Sequence, residues 1–175
     1  QFGGNFSSNP INTGFIGMEY NYFDRLGLKV KANSYFGKFY GSVQARVRMD
    51  LPIRLPFYVE PEFTMNRLDF FRSAATFFED VKPSYIVQYD RFAGLNIGFP
   101  VYNKGKLKFD GRLVWVRDEY YQTDQFTSVD TTDRTNFTGY TGGINYQRHT
   151  LNRKQYASEG NNIIIKLRYL EGTEE

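Results

Sequence analysis

The side chains best placed for acid–base chemistry are two glutamates, Glu60 and Glu62, separated by one residue. Alternate residues of a β-strand point to the same face, so the two carboxylates would lie within reach of each other. Such a pair can serve as a general acid and a general base. The arginines Arg46 and Arg48 have the same spacing in the preceding segment, and ion pairing with them is the simpler expectation. We predict structural acids here rather than catalytic ones.

Two further features could carry chemistry. His149 is the only histidine, and it stands beside Arg148 without a recognisable serine or aspartate partner. A run of acids supplies the oxygen ligands that calcium prefers, but it lacks the tight Asp/Gly spacing of a calcium loop and reads as a solvated loop. Its members are Asp118, Glu119, Asp124, Asp130 and Asp133. We therefore predict a protein that is not an enzyme and that holds no metal and no cofactor.

Composition excludes other classes of protein. The 175 residues include no cysteine, which excludes thiolate chemistry, cysteine-ligated metal and a disulfide scaffold. The net charge is only +3, and basic residues are interspersed with acids, so the concentrated basic patch of a nucleic-acid binder is missing. Arg153 and Lys154 could touch lipid phosphate, although ordinary loop charge is the simpler expectation.

The elements that must position these residues are written in an alternating pattern. In Tyr40–Asp50, every second side chain is small or apolar and the side chains between them are polar or basic, which gives a strand with two unlike faces. The pattern recurs along most of the chain with short links and without a convincing helix. We predict an all-β antiparallel meander of about eight to ten strands, forming an outer-membrane-type β-barrel or part of one, in a single domain over residues 1–175.

Four places disturb this rhythm. Pro61 lies inside the predicted strand Phe57–Asn66, which suggests an edge or a bulge. Leu68–Asp80 loses the alternation and could contain a short helical turn. Asp90–Ala93 is predicted as a turn between two strands, and Arg117–Arg134 as a long polar loop. With all these links counted, the two long connections fall on opposite sides of the sheet, unless Asp90–Ala93 is a bend within one strand.

The apolar face could meet either a dry protein interior or lipid. A spanning β-strand needs only about 9–11 residues, and no apolar run approaches the roughly 18 of a spanning helix. Charges of both signs on the polar face suit a lumen lined by ion pairs. Aromatic rings gather near strand ends, as in an interfacial girdle: Tyr20, Tyr22, Tyr35, Phe36, Tyr120 and Tyr121.

These observations favour lipid outside and charge inside. The predicted lumen-facing residues are Lys29, Lys31, Arg46, Arg48, Glu60, Glu62, Asp110, Arg112, Lys166 and Arg168. The predicted lipid-facing residues are Val43, Val47, Leu95, Ile97, Ile163 and Ile165.

Four stretches resemble a known group of barrels: Gly14–Gly27 (GFIGMEYNYFDRLG), Phe78–Ser84 (FEDVKPS), Asp130–Phe137 (DTTDRTNF) and Thr150–Gly160 (TLNRKQYASEG). They are similar to the C-terminal barrel of Bacteroidetes patatin-like surface phospholipases. That group belongs to the bacterial surface antigen superfamily, which also contains the BamA-type outer-membrane assembly proteins. The most specific part is the NRKQY run within the last stretch.

The resemblance implies a barrel in the bacterial outer membrane that anchors, displays or translocates an attached N-terminal hydrolase domain. The catalytic serine of that domain lies in a G-x-S-x-G motif, which this chain lacks, so no catalytic residue can be transferred. We expect a piece of a longer chain whose open sheet edges could also pair between copies. Its expected partners are outer-membrane lipid and the attached domain, with no nucleic acid. The alternatives are a soluble lipocalin-like barrel that binds an apolar ligand, and a structural β-sandwich used in surface assembly.

Overall fold

The computed structural model describes residues 2–5, 13–38, 40–69, 86–121, 131–152 and 158–175. These residues form nine strands that pair in sequence order into one antiparallel sheet, so the predicted all-β meander is confirmed. No helix in these ranges is long and apolar enough to cross a membrane. The strands are β1 (Phe2–Asn5), β2 (Thr13–Phe23), β3 (Gly27–Gly37), β4 (Tyr40–Leu51), β5 (Phe57–Asp69), β6 (Ile86–Val101), β7 (Gly105–Tyr120), β8 (Asp133–His149) and β9 (Asn162–Glu174).

The links at the two ends of the sheet differ in length. Residues 24–26, 52–56 and 102–104 make tight connections at one end, which we call the short-turn end. The connections 70–85 and 121–132 both lie at the opposite end, the long-loop end, together with the short link 38–39. One longer connection, 150–161, lies at the short-turn end. At the short-turn end, the β8–β9 hairpin is prolonged beyond the strands, because the backbone N–H of Thr150 donates to the carbonyl of Asn161 at 2.8 Å.

The predicted turn at Asp90–Ala93 is wrong. β6 runs without interruption from Ile86 to Val101, and Asp90 pairs with Val116 within a continuous ladder. With this turn removed, both long connections fall at the same end of the sheet. The sequence allowed both long connections to share one end only if Asp90–Ala93 was a bend within one strand, and the structure places these residues within one strand.

Other strand limits also move. β5 continues through Leu68 to Asp69, and the suggested helical turn after it lies outside the described residues. The predicted loop Arg117–Arg134 is shorter than expected, because β7 reaches Tyr120 and β8 begins at Asp133. Pro61 is neither at an edge nor in a bulge. It pairs with Leu95 on β6, while the β4–β5 ladder skips the two residues opposite Glu60 and Pro61 and resumes in the same register.

Burial is inverted relative to a water-soluble domain. The accessible surface is 13169 Å², whereas a compact soluble protein of 20.5 kDa exposes about 8,800 Å². Among the described residues the only buried apolar side chains are Tyr58 and Val87. More polar residues than apolar ones are buried: Ser42, Glu62, Thr64, Asp69 and Asn96. The sheet therefore keeps much of its apolar surface exposed.

Candidate functional site

One face of the sheet is predominantly apolar, and we call it the apolar face. Ladder partners point to the same side of a sheet, so the register assigns every strand residue to a face. Val47 lies opposite Val30, and Ile97 lies between Val59 and Phe109. All six predicted lipid-facing residues lie on this face, and several are widely exposed: Val43 at 49%, Leu95 at 45% and Ile165 at 53%.

The apolar face is tall enough to matter for a bilayer. On three adjoining strands, every side chain that points to the apolar face is uncharged over a length of nine residues. These lengths are 43–51 of β4, 57–65 of β5 and 93–101 of β6. Nine residues span about 27 Å along a strand. At a tilt of about 40° that length covers a height of about 21 Å, and a tilted transmembrane strand uses about 9–11 residues. The length of this uncharged series matches that of a membrane-spanning strand.

Charge reappears on the same face at the long-loop end. Arg67 on β5, Arg91 on β6 and Arg117 on β7 each lie next to the end of the uninterrupted apolar series of that strand on this face. On β8, Arg134 continues the series beside Glu119 of β7, with 3.6 Å between Arg134 Nε and Glu119 Oε1. These arginines form the rim of the apolar face at the long-loop end, and β6, β7 and β8 extend beyond this rim.

The opposite face, the polar face, carries all ten predicted lumen-facing residues. Its centre is an ion cluster around Glu62, whose side chain is only 4% exposed. Arg112 Nε donates to Glu62 Oε1 at 2.7 Å, and Arg46 Nε lies 3.6 Å from Oε2. The predicted pairing with Arg46 is therefore present, whereas Arg48 instead binds Asp50 at 2.7 Å.

Further contacts tie the polar face across its strands. Lys29 on β3 pairs with Glu19 on β2 at 2.7 Å, and Arg168 on β9 approaches Asp110 on β7 at 3.9 Å. The remaining predicted lumen-facing residues, Lys31, Glu60 and Lys166, lie on this face at positions set by the same ladders. Ion pairs thus link several of the strands side by side.

Two glycines of β6 make room for the polar face. A Cβ atom on Gly94 would lie 2.8 Å from Arg112 Cγ and 3.2 Å from Glu62, so the ion pair occupies the space a side chain would fill. A Cβ on Gly98 would collide with the ring of Tyr58. That ring is buried and has Arg48 stacked on it, with 4.0 Å from the guanidinium carbon to the ring centroid.

The sequence misjudged several positions on the two faces. Of the predicted girdle, Tyr35 and Tyr120 lie on the polar face, since they pair with Ser42 and Asp133 respectively. Glu171 of β9 was not anticipated on the apolar face, where it lies opposite Tyr140. The Tyr140 hydroxyl donates to this carboxylate, and the Tyr169 hydroxyl does so at 2.6 Å. The two donors satisfy an acid that lies beside apolar side chains of this face.

The residues considered for chemistry do not converge. His149 ends β8, with its backbone N–H donating to the carbonyl of Lys104 at 3.0 Å. Asp118 and Glu119 are consecutive strand residues and point to opposite faces. Within the described ranges no three metal-binding side chains come together. Asp124, Asp130, Arg153 and Lys154 lie outside those ranges.

Comparisons of the chain with protein-family models, with curated proteins and with solved structures find no match. The resemblance to patatin-like phospholipase barrels therefore remains a prediction from the sequence. What the fold defines on its own is an antiparallel meander with one exposed apolar face and one ion-paired polar face.

Proposed function

We propose that this chain is a membrane-spanning segment of a bacterial outer-membrane β-barrel and that its role is to anchor an attached domain. The observation that carries the proposal is the inversion of burial. Glu62 and Asn96 are buried on the polar face, while Leu95, Leu113 and Ile144 are between 44% and 53% exposed on the apolar face. Exposed apolar side chains are unfavourable in water and favourable in hydrocarbon.

The mechanism is physical rather than chemical. Hydrocarbon offers no hydrogen-bond partners, so a spanning chain must pair its backbone groups internally, which inner strands of a sheet do on both sides. Strands β2 to β8 each have two hydrogen-bonded neighbours, and β1 and β9 are the edges. The cluster of Arg46, Glu62 and Arg112 adds cross-strand ties on the face that avoids lipid. In the complete barrel, further strands would cover the two edges.

The orientation and cargo follow by analogy. Outer-membrane barrels have short periplasmic turns and longer external loops, which assigns the long-loop end to the outside. The attached domain is proposed from the resemblance to the barrels of patatin-like surface phospholipases, in which a hydrolase domain precedes the barrel. The barrel itself would display or help to translocate that domain, without a catalytic residue of its own.

The rival function is a soluble barrel that holds an apolar ligand. That arrangement needs the apolar face turned inward around the ligand and the ionic face turned to water. The burial of Glu62, Thr64 and Asn96 argues against it, because those side chains would then be the solvated ones.

The test is solubility and extraction of the complete protein that contains this chain. We expect the protein to fractionate with outer membranes, to need detergent for extraction, and to migrate differently on gels before and after heating. A protein that stays monomeric in detergent-free buffer and copurifies with a small apolar ligand would refute the anchoring role and support the rival function.

A further inference from the structure

Four side chains at the rim of the apolar face form a compact block. Arg91 lies directly opposite Trp115 in the β6–β7 ladder, and Tyr89 lies opposite Arg117 one row further toward the long-loop end. The two arginines therefore occupy one diagonal of the block and the two rings the other. Diagonal neighbours on a sheet have Cβ atoms within about 7–8 Å. Two long guanidinium side chains at that spacing can converge on one ligand.

The charges around this block leave the two arginines available. Arg67 pairs with Asp69 at 3.2 Å, and Arg134 lies 3.6 Å from Glu119. Within the described ranges neither Arg91 nor Arg117 makes an ion pair, and both are exposed.

The acids that neighbour these arginines along the chain do not compensate them. Asp90 and Asp118 point to the polar face, because they pair with Val116 and Gln88 respectively. On the same side, Glu119 stands two residues from Arg117 on β7 but faces Arg134 at 3.6 Å, and Glu175 lies beyond Asn136 of β8. Glu175 lies two strands from Arg117, which is about 10 Å. Among the described residues, no acid therefore forms an ion pair with Arg91 or Arg117 at this rim.

A shallow cavity of about 630 Å³ lies over this block. Its charged side is formed by Arg91, Arg117 and Glu175, and its apolar side by Phe63, Met65 and Trp115. The same cavity thus offers guanidinium groups at the rim and an apolar surface next to them on the side of the short-turn end. A free anion would use only the first feature, and a neutral apolar ligand would use only the second.

We propose that Arg91 and Arg117 bind the phosphate of an anionic membrane lipid whose acyl chains lie on the apolar side of the cavity. This inference rests on the proposed function, since it requires the apolar face to be in a bilayer. Guanidinium groups make charge-assisted, often bidentate hydrogen bonds to phosphate oxygens. Tyr89 and Trp115 suit headgroup depth because an indole or phenol ring has an apolar body and a polar tip.

The site should select lipids by charge. An arginine near a membrane surface contributes roughly fivefold to binding of anionic lipid. The lipid would also hold the protein at a fixed depth in the bilayer. Its phosphate would bind the arginines of the rim, and its acyl chains would contact the apolar side chains of the cavity. The site is at the long-loop end, so its ligand belongs to the leaflet at that end.

Trp115 is the only tryptophan of the chain, and it reports on the site directly once any tryptophan elsewhere in the complete protein is replaced by phenylalanine. The complete protein is inserted into phosphatidylcholine vesicles, and Trp115 emission is quenched with either dibrominated phosphatidylglycerol or dibrominated phosphatidylcholine. The ratio of the two apparent association constants measures charge selectivity. We expect the anionic lipid to be preferred by fivefold or more, and Arg91→Gln/Arg117→Gln to bring the ratio close to one. Arg168→Gln, on the polar face, removes the same charge away from lipid and should leave the ratio unchanged.

Each outcome decides the proposal. Equal constants in the wild type, or a preference that the double variant retains, would overturn the lipid site while leaving the anchoring role intact. Absence of quenching by either brominated lipid in the wild type would overturn the anchoring role as well. Loss of the preference on adding inorganic phosphate would assign the site to free phosphate and overturn the lipid occupant. If the double variant fails to insert, high salt applied to the wild type must abolish the preference, because the contact is ionic.

Discussion

Replacing Val47 by lysine tests the depth of the apolar face. Val47 is the middle member of the apolar-face series of β4, which runs from Val43 to Leu51. A lysine at the bilayer midplane costs about 2–4 kcal/mol in a barrel, and near an interface about 0–1 kcal/mol. Val43 is four residues away, about 13 Å along the strand. With a strand tilt of about 40°, that is about 10 Å closer to the surface.

We therefore expect Val47→Lys to lower the free energy of unfolding by about 2–4 kcal/mol and Val43→Lys by at most about 1 kcal/mol. Gln44→Lys is the matched control, because it introduces the same side chain one residue from Val43 but on the polar face. It should change stability by no more than about 0.5 kcal/mol. The measurement is reversible urea unfolding from lipid vesicles, followed by far-ultraviolet circular dichroism. Equal costs for Val47→Lys and Gln44→Lys, or a larger cost at Val43, would refute the reasoning.

Two further predictions concern the polar face. Glu62→Gln should destabilise the protein by about 2 kcal/mol, because two arginines lose a buried partner. Glu60→Gln should cost less than about 0.5 kcal/mol; equal losses in denaturant unfolding would contradict the cluster. Gly98→Ala should cost about 1–3 kcal/mol through collision with Tyr58. Gly111→Ala, whose new carbon would lie 4.0 Å from its nearest neighbour, should be neutral. A neutral Gly98 variant would show that the ring of Tyr58 moves freely.

The sequence predicted the two faces well because alternation is a local property. Strand period and hydrophobicity alone separated all sixteen selected residues correctly between the faces. The same reasoning failed where strands continue beyond the uncharged part of the apolar face. β6, β7 and β8 are 16 or 17 residues long, whereas the uncharged part occupies about nine. Beyond it, Arg91 and Arg117 stand where apolar residues would continue the period, so the pattern was misread as a turn and a loop.

Contacts between distant strands were beyond sequence reasoning. The Glu62–Arg112 pair joins residues 50 positions apart, and only the register of two ladders places them on one row. The room for that pair comes from Gly94, whose role cannot be read without knowing what lies opposite it. The block of Tyr89, Arg91, Trp115 and Arg117 was missed because the sequence placed Arg91 in a turn and Arg117 in a loop.

Spin-label scanning of β7 tests most directly whether lipid contacts the apolar face. The chain has no cysteine, so single cysteines can be introduced from Lys106 to Arg117 of the complete protein and labelled without background once any cysteine outside this chain is replaced by serine. In vesicles, we predict that accessibility to oxygen, which concentrates in lipid, alternates along the strand. It should be high at Phe109 and Leu113 and low at Lys108 and Arg112. If Phe109 and Leu113 are instead inaccessible to oxygen, or more accessible to a water-soluble nickel reagent, the lipid-facing assignment is contradicted.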